Sequence, residues 1–193
     1  MLEGILVDLV PLNKNFRDLE HKWRNSLAGW WASGGEHHIM TRAQLARQLE
    51  GWAEAKENGH ANGIPFGVQL KDGTPIGSMG INFIMPAHRL AMLGAKIGES
   101  DYWGGGYGTD ALILLIQYAF DWLDMRKIWL GTTGKNERVQ RQMEKVGFTL
   151  EARQRQETLM DGEWHDGLLY GLFREDWPGR EALVKKLNIR PKG

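Results

Sequence analysis

The sequence predicts an α+β domain in which helices flank a mixed, mostly antiparallel sheet, and three observations carry that reading. Two tight-turn signatures, Asp72-Gly73 and Asp161-Gly162, each separate a pair of strand-like runs. The stretch from Leu90 to Thr132 reads as strand, helix, strand, the order that makes a parallel crossover. Two amphipathic helical stretches precede the first hairpin. A chain of 193 residues with 42% hydrophobic content is long enough for one core. A single domain over 1–178 is expected, followed by a basic tail at 179–193.

The elements follow in order. Gly4 to Leu12 alternates apolar and polar residues as a half-buried strand does, with Pro11 and Asn13 punctuating its end. Asn13 to Leu27 and Thr41 to Lys56 carry apolar residues at helical spacing, with Thr41 as an N-cap. The connection from Gly29 to Ile39 has no period of its own and holds Trp30, Trp31, His37 and His38. Phe66 to Leu70 and Ile76 to Ile84 form the first hairpin, and Leu90 to Gly98 the next strand. Tyr107 to Leu123 places Ala111, Leu112, Leu114, Leu115, Ala119 and Trp122 on one helical stripe that should pack on the sheet. Ile128 to Thr132 is a short strand. A helix over Asn136 to Val146 turns Val139, Met143 and Val146 inward and is capped by Gly147. Thr149 to Leu159 and Trp164 to Phe173 close the fold as the second hairpin.

Composition excludes several function classes. The 24 basic and 24 acidic residues cancel, so no overall field recruits nucleic acid or an anionic membrane. No stretch is apolar enough to span a bilayer and the start lacks a targeting pattern. With no cysteine, thiolate metal sites and cysteine nucleophiles are absent. A cytoplasmic setting fits. The two adjacent histidines have no metal-ligand spacing, so no metal is expected.

The informative segment is Trp103-Gly104-Gly105-Gly106-Tyr107-Gly108-Thr109, between a strand and an amphipathic helix. Bare backbone lets successive N–H groups converge, and the helix N-terminus adds partial positive charge, so a pyrophosphate is the natural occupant. A Walker loop needs a lysine and then a hydroxyl residue after the glycines; no lysine follows these, and Gly134-Lys135-Asn136 lacks the hydroxyl residue. A dinucleotide fingerprint would place glycine where Thr109 stands. A methyltransferase loop shares the spacing of Gly104, Gly106 and Gly108 but normally follows the first strand of a doubly wound sheet.

These residues resemble the GCN5-related N-acetyltransferases (GNAT), closest to their RimJ/RimL-type branch. The glycine segment is similar to that branch's tryptophan-glycine-x-glycine-tyrosine stretch. Asn136-Glu137-Arg138 through Glu144-Lys145-Val146-Gly147-Phe148 is similar to its asparagine-led helix, and Asp161-Gly162-Glu163-Trp164-His165-Asp166 to its final turn. The resemblance implies an acyl-CoA N-acyltransferase fold with central parallel strands, Leu90 to Gly98 and Ile128 to Thr132, splayed around a pantetheine arm. It implies acetyl-CoA as co-substrate, with backbone at Ala95, Lys96, Ile97 and Gly98 pairing with its amides. Trp103, Gly104, Gly105, Gly106, Tyr107, Gly108 and Thr109 would hold its pyrophosphate, and Asn136 would reach it from the next helix. Trp30, Trp31, His37 and His38 would line the acceptor pocket, because the relatives use their first two helices there. The last strands of such enzymes often form a homodimer.

Direct transfer to a small-molecule or peptide amine is the reaction implied. An amine of pKa about 10.4 must lose a proton costing about 4 to 5 kcal/mol at neutral pH, whereas a thiol of pKa about 8.5 leaves with less help. Met92 and Met143 stand where many relatives carry a glutamate and a tyrosine. Glu99, Asp101, Glu157 and His165 are therefore the candidate bases, and Tyr102 a substitute acid. Two further readings remain open at this stage: a CoA-binding sensor without catalysis, and an S-adenosylmethionine-dependent methyltransferase.

Overall fold

The computed structural model of the chain describes residues 1–32, 39–47 and 63–191. Its strands are β1 (Leu2–Glu3), β2 (Val7–Pro11), β3 (Gly63–Leu70), β4 (Pro75–Met85), β5 (Leu90–Ile97), β6 (Lys127–Thr133), β7 (Thr149–Met160) and β8 (Glu163–Phe173). They form one sheet in the order β1-β2-β3-β4-β5-β6-β8-β7. Both expected hairpins form. In the second, Asp161 (φ 53°) and Gly162 (φ 82°) take the paired left-handed conformations that match the twist of the strands they join.

Every neighbour pair is antiparallel except β5 and β6, whose register covers only Leu90↔Lys127, Ala91↔Ile128 and Met92↔Trp129. Past that point β5 continues to Ile97 against β4, and β6 to Thr133 against β8. The sheet therefore opens into a cleft between two strands that are each held only on their outer side.

Side chains alternate across the strands, so the two faces carry different helices. On one lies α4 (Tyr107–Gln117), an element so apolar that Ala111 through Ile116 are all buried against Val68, Ile81, Ala91, Leu93 and Ile128. On the other lies α1 (Lys14–Arg24), capped by Asn13, whose side chain accepts from the Asn15 N–H at 2.9 Å. Its Phe16 and Trp23 rings sit on bare backbone at Gly67 and Gly98, where any Cβ would collide with them. α2 (Leu27–Ala32) continues along β5, and 42–47 form α3, with Thr41 and Gln44 exchanging side-chain-to-backbone bonds at 3.2 and 2.8 Å as a capping pair does. α5 (Glu137–Val146) follows β6, and α6 (Arg180–Lys186) follows β8.

Four expectations change. Trp30 and Trp31 belong to α2 rather than to an aperiodic loop. Gly4 is a turn, with its N–H on the Val7 carbonyl at 2.9 Å, and β2 does not alternate in burial. Val7 and Leu9 join the α4 core while Val10 packs with Phe16 and Trp23, so both faces of that strand are covered. Trp122 is 73% exposed because α4 ends in a π-turn, Tyr118–Trp122, where the Leu123 N–H reaches the Tyr118 carbonyl and the helical phase slips. Beyond Pro178 the basic stretch is helical over α6, with Leu183 buried in the main core and Arg180 bonded to the Glu3 carbonyl at 2.7 Å.

Candidate functional site

A cleft of about 640 Å3 runs through the opening between β5 and β6, from the α4/α5 face to the α1/α2 face. β5 contributes Met92 to Ile97, β6 contributes Trp129 to Thr132, and Gly104, Gly106, Gly108 and Thr109 form one end of it. That end is the N-terminus of α4. Gly104 (φ 77°) and Gly106 (φ 89°) hold left-handed conformations that other residues adopt only under strain, and among the described residues no atom lies within 4 Å of where a Gly104 Cβ would stand. The space above these amides is where an anion would sit, facing the positive end of the helix dipole.

Trp103 anchors this loop. Its indole N–H donates to the Ile97 carbonyl at 2.8 Å, and the Arg138 guanidinium lies 4.2 Å from its ring centroid. Asn136 caps α5 through a 3.4 Å bond from the Val139 N–H and also lines the cleft. Arg138, Arg141 and Lys145 line it as well, a cationic row missed in the sequence reading. Their spacing along a helix, three and four residues apart, is the signal that puts them on one face. Gly105 and Tyr107 stand outside the lining. Tyr107 packs edge-on against Tyr102 with ring centroids 5.2 Å apart.

The other candidates separate clearly. Glu99 is committed: Lys22 donates to it at 2.7 Å and the Trp23 indole at 2.9 Å. Partial burial raises its pKa, but those bonds and the Lys22 charge outweigh this, and it titrates below the ordinary glutamate value. Asp101 is exposed and outside the cleft, while Tyr102 lines the glycine end. His165 lies outside it too, with its Nε2 3.9 Å from a Glu163 carboxylate and without a hydrogen-bond partner among the described residues. Glu157 is exposed on β7, within an irregular stretch between Gln154 and Thr158 where Gln156 takes φ 52°. Its carboxylate folds across the bare backbone of Gly167, where any Cβ would strike it. Gly167 pairs with Thr133, so this carboxylate shares the face of Trp129, beside the cleft rather than in its wall. Trp31 lines the cleft and Trp30 does not. His37 and His38 lie outside the described residues.

Lys96 lines the cleft, and its ammonium is held in a buried cluster, with Nζ 2.8 Å from Glu20, whose other oxygen accepts from the Ser78 hydroxyl at 2.6 Å. Among the described residues, no three His, Cys, Asp or Glu side chains group as a metal site would need, and no helix is long and apolar enough to cross a membrane.

Comparison with known proteins agrees with this architecture. The family model of the acetyltransferase (GNAT) domain matches residues 7–149. The Bacillus subtilis (strain 168) protein named "Putative ribosomal N-acetyltransferase YdaF" is 30% identical over 120 residues, which is 62% of this chain and 64% of that one. A second protein of that strain, "Uncharacterized N-acetyltransferase YoaA", is 26% identical over 58% of this chain and 63% of its own length. The matches thus span somewhat under two thirds of either relative. Among solved structures, spermidine N-acetyltransferase from Vibrio cholerae in complex with CoA and spermine superposes with a TM-score of 0.77 at 19% identity, covering 89% of this chain and 97% of that one. A GCN5-related N-acetyltransferase from Brucella melitensis gives 0.74 at 23% identity over 95% and 83%.

Proposed function

This chain belongs to the acetyltransferase (GNAT) family, and from that premise we propose that it binds acetyl-CoA in the β5/β6 cleft and transfers the acetyl group to a primary amine. The observation that carries the reading is the glycine loop at the α4 N-terminus, opening into a cleft between two parallel strands that stop pairing at Met92 and Trp129. The loop amides and Arg138 fit a pyrophosphate at one end. The unpaired inner edges of β5 and β6 fit the amides of a pantetheine arm, placing the thioester near the point where the strands part.

An amine arriving from the α1/α2 face attacks the acetyl carbonyl carbon. A C–N bond forms, the C–S bond breaks, and the sulfur leaves with its electron pair. The two substrates need only be aligned, which is where most of the rate of a direct transfer originates. Backbone N–H groups on the β5 edge meet the oxygen as negative charge gathers there. The proton released by the ammonium passes through water to Glu157, the candidate carboxylate that has no ion-pair partner among the described residues and shares the face of Trp129. Glu99 is unsuited, since its carboxylate is held by Lys22 and Trp23.

Calorimetry with CoA and a thiol-release assay with a panel of amines test the proposal. The wild-type chain should bind CoA and release thiol only when an amine is present. Gly106→Val/Gly108→Val should fold and lose CoA binding, because Gly106 is left-handed and a Cβ at Gly108 would press on Ile97 at 3.3 Å. Undiminished affinity in that variant, or binding without any amine-dependent thiol release, overturns it.

A further inference from the structure

Resting on the acetyltransferase reading, we infer that the acceptor is a singly charged amine with a bulky apolar body beside its nitrogen, as in the α-amino end of a peptide that begins with a large apolar residue. The two ends of the cleft differ in chemistry. The α4/α5 end carries the glycine loop, Arg138, Arg141 and Lys145, which suit a polyanion. The α1/α2 end is walled by Ala28 and Trp31 of α2, Met92 of β5 and Trp129 of β6. Met92 and Trp129 are register partners, so their side chains stand together at the point where the strands part. Trp31, Met92 and Trp129 are all half-buried, leaving apolar surface facing the cleft.

Charge narrows the acceptor further. Among the described residues, no Asp or Glu lines the cleft. On the α1/α2 face, Glu20, Glu99 and Glu151 are already neutralised by Lys96, Lys22 and Lys127 at 2.8, 2.7 and 2.7 Å. Glu157, beside the cleft on this face, has no ion-pair partner among the described residues, one carboxylate for one ammonium. With no carboxylate in the cleft wall among the described residues, a second or third ammonium on the acceptor would be desolvated there beside indole and thioether groups, which is strongly disfavoured. An apolar body gains instead, because burying it against Trp31 and Trp129 removes surface from water on both partners.

The test compares three acceptors on the full-length chain with saturating acetyl-CoA: Phe-Gly amide, Gly-Gly amide and spermidine. The two peptides share one α-amine and differ in the side chain next to it. Phe-Gly amide should exceed Gly-Gly amide by about tenfold or more in kcat/KM, and spermidine by on the order of a hundredfold. Trp31→Ala and, as a second variant in case that one does not fold, Met92→Ala should reduce the preference for Phe over Gly, a ratio read at saturating acetyl-CoA and so independent of any change in CoA affinity. Spermidine matching or exceeding the peptides, equal rates for Phe and Gly, or an unchanged preference in a folded variant each overturn this inference and leave the acetyltransferase reading standing. CoA binding with no turnover of any amine is the distinct result that removes the catalytic reading and this inference together.

Discussion

The Arg138 guanidinium lies 4.2 Å from the centroid of the Trp103 indole, and that indole is fixed in turn by its 2.8 Å bond to the Ile97 carbonyl. Three segments meet there: the end of β5, the glycine loop and the start of α5. Burial lowers the pKa of Arg138, but a guanidinium stays charged at any working pH, so a half-covered positive charge stands ready at the cleft.

Arg138→Ala should weaken CoA binding by about tenfold, the worth of one charge-assisted hydrogen bond. Calorimetry at low and high salt checks this. The difference between wild type and variant should shrink as salt rises. Trp103→Phe keeps a ring but loses the bond to Ile97, and should weaken binding through a displaced loop even though Arg138 remains.

Gly167→Ala places a methyl group where the Glu157 carboxylate now lies. It should therefore reproduce Glu157→Gln: kcat/KM lowered by on the order of a hundredfold with CoA affinity intact. The pH–rate profile separates catalysis from folding, since the limb reporting loss of the base should vanish in Glu157→Gln. An unaltered kcat/KM in both variants removes Glu157 from the mechanism.

Glu99 makes stability depend on pH. Its folded-state pKa lies below its ordinary 4.5, so its contribution is fully present above that value and is lost as pH falls through the lower folded pKa. Chemical denaturation of wild type and Glu99→Gln should differ at pH 7 and converge in strong acid. A difference that persists there means that Glu99 acts through packing rather than charge.

The Glu20–Lys96 pair has little exposure on either side, 6% and 12% of the side chains. Burial depresses the Lys96 pKa, and the opposing pull of Glu20 does not fully restore it. Lys96→Met alone should cost about 3 kcal/mol by leaving the buried Glu20 carboxylate with only the longer 3.7 Å contact to Arg24, whereas Glu20→Gln/Lys96→Met should recover most of that loss. Urea unfolding of both variants measures it.

Much of this was legible beforehand, and the reasons are physical. Asp161-Gly162 and Asp72-Gly73 specify their turns by local conformational preference, and the glycine loop declares itself because bare backbone has few other uses before a helix. Features set by tertiary placement were not legible. Trp122 fails because a π-turn changes the phase of a helix whose sequence period is unbroken. Glu157 could be named only as one carboxylate among several, since the irregularity that aims it lies in backbone geometry at Gln156. Arg138 stands inside a motif quoted from the sequence, yet its partner Trp103 is distant in the chain, and their stacking appears only when α5 docks.

The three-rung join between β5 and β6 bears on how the molecule responds to its ligand. With so short a seam between the β1–β5 and β6–β8 halves of the sheet, a bound arm would complete the unfinished ladder and knit the halves together. Amide exchange along residues 93–97 and 130–133 should slow far more on loading than it does in the outer strands, making the cofactor a structural member as well as a reactant.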